Sequence, residues 1–189
     1  MTISTQKYLD GVINDLEEAV TKVANLTEDL NEKTLNQPEA EGKWSMLQCI
    51  EHITLATAIY VKNFREKLDD QQLPAAADNY KGHWKGRMFA KMNAPKPEGD
   101  IPMKVKTFKF LEPKSQLSSQ SVMAEFKQVH EQMIALVEKS RAVNIDRIKV
   151  PTALGSMVKL RLGEALRFIV AHTQRHLVQL ERIKNTVVK

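Results

Sequence analysis

The sequence predicts an all-α protein built as a four-helix bundle, and three observations lead there. Four stretches repeat apolar residues at spacings of three and four, no stretch reads convincingly as a sheet, and five of the seven prolines gather in one interruption. A chain of 189 residues with 42% hydrophobic residues is long enough to bury a core without disulfide staples. The expectation is a single helical-bundle domain over residues 1–189, with a long loop-rich insertion at about 69–113 between the second and third helices.

The first stripe joins Leu9, Val12, Ile13, Leu16, Val20 and Val23. Gly11 lies within it at a cost of about 1 kcal/mol relative to Ala, and a polar run through Asn36 and Gln37 to Pro38 closes the segment. The second helix opens at Ser45, which with Gln48 has capping-box spacing, while Trp44 sits just outside, where it can pack onto the first turn. Met46, Cys49, Ile50, Ile53, Ala56, Tyr60 and Phe64 then form a broad apolar face, and the helix is expected to end near Leu68.

The third helix covers roughly Ser119 to Lys139, with Val122, Phe126, Val129, Met133, Leu136 and Val137 inward. The fourth runs from about Leu160 to Val187, with Leu162, Ala165, Leu166, Ile169, Leu180 and Ile183 at helical spacing. The interruption holds Pro74, Pro95, Pro97, Pro102 and Pro113, so one regular helix is excluded there. A short helix near Tyr80 to Met92 and an extended piece near Met103 to Phe110 fit its sequence, and its charge and prolines suggest a cover over the bundle rather than part of the core.

Charge and cysteine content bound the function. The net charge of +5 is mild, but nine basic residues face three acidic ones between Lys81 and Lys114. No nucleic-acid motif accompanies that segment, so a solvated loop is the preferred reading over nucleic-acid binding. A single Cys cannot form an internal disulfide, no apolar run approaches the roughly 20 residues of a membrane span, and Met1 to Asp10 lacks a signal-peptide core. The expectation is a soluble, cytoplasmic protein with no membrane partner.

The chemistry concentrates on histidine. His172 and His176 are four apart on the fourth helix, in register with Ile169 and Leu180, so two imidazoles enter a core-directed stripe. Buried imidazoles are costly unless hydrogen-bonded or ligated, and this spacing suits either satisfied core histidines or two ligands of one metal ion. Thr173 stands where the helical zinc-protease motif carries its Glu, which excludes that class. His52, one turn after Cys49, lies on the flank of the second helix's apolar face and could meet them from a facing helix.

Other candidates have plainer readings. Cys49 is either core or a fourth ligand, with core preferred; His130 is read as a helix-flank histidine at the core's edge, and His83 as a loop residue. Gln48 and Gln179 lie one turn from histidines and could orient a ligand, and Glu164 could act as a base if it faces inward.

The string Trp44-Ser45, then Glu51-His52-Ile53, then His172-Thr173-Gln174-Arg175-His176-Leu177 with Gln179 beyond, resembles the DinB-like superfamily of metal-binding bundle proteins. The resemblance covers about residues 5–68 and 115–186 and leaves the 69–113 insertion aside. It implies a four-helix bundle in which His52, His172 and His176 bind one divalent metal ion, Zn or Ni first. It implies a metal-dependent enzyme acting on a small molecule: a thiol-dependent S-transferase using a low-molecular-weight thiol cosubstrate, or alternatively a metal-dependent hydrolase. A non-enzymatic metal-binding or stress-response protein is the third reading, and a homodimer is compatible with the resemblance.

Overall fold

The computed structural model describes residues 2–70, 72–84, 86, 88, 90, 94, 107–153 and 155–188, the side chain of Ser156 excepted. Its four long helices are α1 (Thr5–Thr27), α2 (Met46–Leu68), α3 (Ser119–Lys139) and α4 (Leu162–Val187). Helices α1 and α2 each pack against both α3 and α4, so α1 and α2 occupy opposite corners of the bundle. This arrangement makes α2 and α4 neighbours, which brings their histidines face to face. Among the described residues, no helix is long and apolar enough to cross a membrane.

Each helix begins where local chemistry satisfies its orphan N–H groups. At α2 the Gln48 N–H donates to Ser45 Oγ at 3.2 Å, and the Ser45 N–H donates to Gln48 Oε1 at 3.0 Å, completing the capping box. At α4 the Arg161 N–H donates to Glu164 Oε2 at 3.1 Å. Every inward residue expected on α2, α3 and α4 from spacing is buried; on α1 only Val20 is partly exposed. Helix α1 stops at Thr27, earlier than the polar run, because Asn31 caps a separate turn over Glu32–Leu35 that buries Leu35.

The core falls into two apolar clusters. One holds Leu9 to Leu16 of α1, Ala56 to Leu68 of α2 and Leu162 to Val170 of α4; the other holds Met46 to Ile53 of α2, Val122 and Phe126 of α3, and Leu177 to Ile183 of α4. The seam between them crosses α4 between Val170 and Leu177 and α2 between Ile53 and Ala56. His172 and His176 lie on α4 within that gap, and His52 borders it on α2.

Three features depart from the sequence expectation. A hairpin precedes α4: β3 (Lys149–Thr152) pairs antiparallel with β4 (Gly155–Arg161), and the register shifts between Pro151 and Thr152. Leu160, expected to open the fourth helix, lies opposite Val150, and both are buried. The strand signal is hidden because Met157 and Val158 are both exposed, which breaks the alternation a half-buried strand would show. A second, two-residue pairing joins β1 (Ile3–Ser4) to β2 (Asn79–Tyr80).

The 69–113 connection is also more than a cover. Tyr80 and Leu111 are both core residues, and Tyr80 lies with its ring centroid 4.2 Å from that of Tyr8. Gly163 permits this approach, since a Cβ there would stand 2.6 Å from the Tyr80 ring. Asp146 accepts the N–H groups of Lys81 and Gly82 at 2.9 and 3.2 Å, and Glu164 Oε1 accepts that of His83 at 2.8 Å. Of the expected helix near Tyr80 to Met92, Tyr80 is in a strand, and Trp84, Gly86, Met88 and Ala90 are helical; residues 85, 87, 89 and 91–92 lie outside the described residues. Of the expected extended piece, 103–106 lie outside them too, and Lys109–Leu111 form a 3-10 turn instead.

Two substitutions check this packing by urea unfolding. Tyr80→Ala is expected to cost about 3 kcal/mol, the usual cost of truncating a buried aromatic, whereas a detachable cover would leave stability unchanged. Gly11→Ala is expected to stabilise by about 1 kcal/mol or less, because Gly11 is helical and exposed and a Cβ there meets nothing within 4 Å.

Candidate metal centre

His52 from α2 and His172 and His176 from α4 converge, each offering one ligand atom, and those atoms all lie within 4.8 Å of one another. The ring centroids are 5.3 Å apart for His52 and His172, 4.7 Å for His52 and His176, and 4.6 Å for His172 and His176. His52 and His176 are buried and His172 is half-buried.

Hydrogen bonds hold two of the rings. His52 Nδ1–H donates to the Leu111 carbonyl at 2.9 Å, and His176 Nδ1 lies 2.9 Å from Gln179 Oε1. A backbone carbonyl can only accept, so His52 Nδ1 carries the proton and its Nε2 keeps the lone pair. The Leu111 carbonyl is held in place from α2 itself: the Lys114 N–H donates to Glu51 Oε2 at 2.7 Å, and Gln48 Nε2 donates to the Lys114 carbonyl at 3.0 Å. Aromatic rings close the sides. Trp44 lies 4.8 Å from His52 and 6.3 Å from His176 by ring centroids, and Phe168 stacks on His172 at 6.2 Å.

Electrostatics keeps the imidazoles neutral. Burial lowers the pKa of His52; burial, then His52 and Arg175, brings His172 down to about 3; burial, then His172 and His52, holds His176 well below its ordinary value. Neutral imidazole is the form that ligates metals, so the lone pairs are available across the neutral range. Three converging neutral nitrogens, two of them hydrogen-bonded from outside, make a donor set suited to a divalent ion.

The remaining candidates separate cleanly. Cys49 is buried, its Sγ–H donates to the His176 carbonyl at 3.5 Å, and it lies outside the converging group of nitrogens, as expected of a core thiol. His130 lies in the core, not at its edge. Its Nδ1–H donates to the Phe126 carbonyl at 2.8 Å, its Nε2 has no hydrogen-bond partner among the described residues, and burial lowers its pKa to about 4. Gln179 contacts a histidine, as its spacing allowed, whereas Gln48 is committed to the cap and to Lys114. Glu164 faces inward, yet both of its oxygens accept backbone N–H groups, from His83 and Arg161, so it anchors the connection instead of serving as a base. His83 lies in that docked stretch.

Three contributors escaped the sequence reading. The Leu111 carbonyl is backbone and carries no residue signal. Trp44 reaches past the first turn to the histidines themselves. Phe168, four residues before His172, could have been found from helical spacing alone.

These features define a helical bundle carrying a buried three-histidine group suited to a metal ion. The profile of the DinB superfamily matches residues 15–180, and the chain belongs to that superfamily. Among solved structures the chain is similar to YfiT from Bacillus subtilis, described as a probable metal-dependent hydrolase with an unusual four-helix bundle topology. That match covers 97% of this chain and 89% of YfiT at a TM-score of 0.60, with 16% sequence identity, and it bears on the fold. No curated protein matches the chain.

The buried histidines make the metal-free protein acid-sensitive. An unfolded His binds its proton near pH 6.5, whereas His130 does so natively at about 4 and His172 at about 3. Below pH 6.5 the unfolded state therefore holds more protons, and stability falls as pH drops toward 4, by about 1.4 kcal/mol per pH unit for each such proton. Urea unfolding of the metal-free chain at pH 7, 5.5 and 4.5 measures this slope. His130→Leu should make it shallower by about one proton, and an unchanged slope would refute the assignment.

Proposed function

We propose that this protein is a metal-dependent hydrolase of a small-molecule substrate, with His52, His172 and His176 holding one divalent ion. The observation that carries the reading is the convergence of three neutral imidazoles with no fourth His, Cys, Asp or Glu in the group among the described residues. Three-histidine sets with open positions belong to catalytic rather than structural zinc sites. Imidazole suits Zn and Ni alike, and these are the two ions to test first. A divalent ion held there would supply a Lewis acid that polarises a carbonyl and acidifies water.

The chain's own residues do the rest. Leu111 and Gln179 hold two rings with their Nε2 lone pairs free, Trp44 and Phe168 wall the group, and the half-buried His172 marks the side from which substrate enters. The description of YfiT as a probable metal-dependent hydrolase supports hydrolysis over thiol transfer. Cys49 lends no support to a thiol mechanism, because its thiol is buried and its pKa raised. A thiol cosubstrate would have to come from solution.

The test strips purified protein with a chelator, restores Zn or Ni, and assays panels of small esters and amides beside a thiol-transfer panel. The expected result is hydrolysis that is lost on stripping and restored by one equivalent of metal. His172→Ala should lose both metal and activity by at least tenfold, while His130→Ala keeps its metal. Metal-restored thiol transfer without hydrolysis would establish the S-transferase reading instead. Stoichiometric metal with neither activity would favour a structural site.

A further inference from the structure

We propose that Gln179 is a positioning residue of the metal centre, holding His176 in the Nδ1-protonated tautomer through a neutral acceptor. The inference rests on the reading of the three histidines as a metal site and concerns what orients and tunes one of them. Gln179 follows His176 by three residues on α4, so its side chain reaches back along the same face. Its Oε1 is 2.9 Å from His176 Nδ1. Among the described residues the other polar side-chain atom close to that nitrogen is Cys49 Sγ, 3.8 Å away, which has a nearer partner in the His176 carbonyl at 3.5 Å. A thiol sulfur is a weak acceptor, so the amide oxygen is the group able to hold the Nδ1 proton.

Without that acceptor, neutral His176 is free to carry its proton on either nitrogen. The Nε2-protonated tautomer has no lone pair on the nitrogen left free for a metal. Gln179 removes that state before any ion arrives. Its chemical type matters as well. A carboxylate at this place would push electron density through the ring and raise ligand basicity, whereas an amide orients the ring without adding charge. His52 is held in the same manner by a backbone carbonyl, also neutral. Both oriented histidines thus have uncharged outer partners, which leaves a bound ion its positive charge for polarising substrate.

The experiment uses the full-length protein and two readouts that need no substrate. Long-range proton–nitrogen NMR on the metal-free protein reads the tautomer of His176, and competition with a chromophoric chelator reads Zn affinity. Gln179→Leu should lose the pure Nδ1–H pattern and bind Zn 10–100-fold more weakly. Gln179→Glu, which keeps an oxygen acceptor, should retain the tautomer and bind Zn at least as tightly as the parent. Gln174→Leu, an exposed position on the same helix, should change neither. Should Gln179→Leu fail to fold, Gln179→Met keeps the side-chain length without an oxygen and carries the same expectations. Parental tautomer and affinity within twofold in the Leu or Met variant would overturn the inference while leaving the metal site intact. Equal weakening in the Leu and Glu variants would overturn it as well. A parent protein that binds no Zn or Ni would overturn both the inference and the proposed function.

Discussion

Three imidazole rings with centroids 4.6 to 5.3 Å apart cannot all carry charge, and two of them have almost no water to share it with. Burial and mutual repulsion therefore drive them to the neutral form, and much of the surrounding structure follows from the need to house neutral, lone-pair-bearing rings in a bundle core. The apolar packing divides into two clusters that meet at this level. Backbone and side-chain acceptors take the Nδ1 protons of two rings, and aromatic faces rather than charges fill the space beside them. A site of this kind is expensive in stability and is held by what lies above and below it: Tyr60, Phe64 and Leu162 on one side, Met46, Ile50 and Leu180 on the other.

The connection between α2 and α3 gains its importance from the same constraint. The acceptor for the His52 Nδ1–H comes not from a helix but from the connection, as the Leu111 carbonyl. That carbonyl stays in place because Glu51 and Gln48, one residue and one turn away from His52, bind Lys114. Farther along, Tyr80 inserts beside Tyr8 and over Gly163. The connection is thus fastened both to α2, the helix of His52, and to the start of α4. Ser140 and Glu164 show the same economy of means: each is buried, and each has its oxygen committed to the backbone.

Much of this was legible in the residues. Helical spacing and the Ser45–Gln48 box defined α2 to its last residue, and spacing alone paired His172 with His176. His52 needed the resemblance, because a single histidine on a helix flank has no periodic partner to mark it. The hairpin at Lys149–Arg161 was hidden by the exposure of both Met157 and Val158. The role of Leu111 was unreadable in principle, since a carbonyl is common to every residue. Glu164 meets the sequence's condition for a base by facing inward, but its oxygens serve the backbone of His83 and Arg161.

The account stands on an ion held by three imidazoles with positions left open, and X-ray absorption of Zn- or Ni-loaded protein addresses that directly. The account requires one ion per chain, three imidazole scattering paths, remaining light-atom ligands from solvent and no sulfur in the first shell. A sulfur path from Cys49, a fourth protein ligand closing the shell, or the same spectrum from His172→Ala and the parent would contradict it.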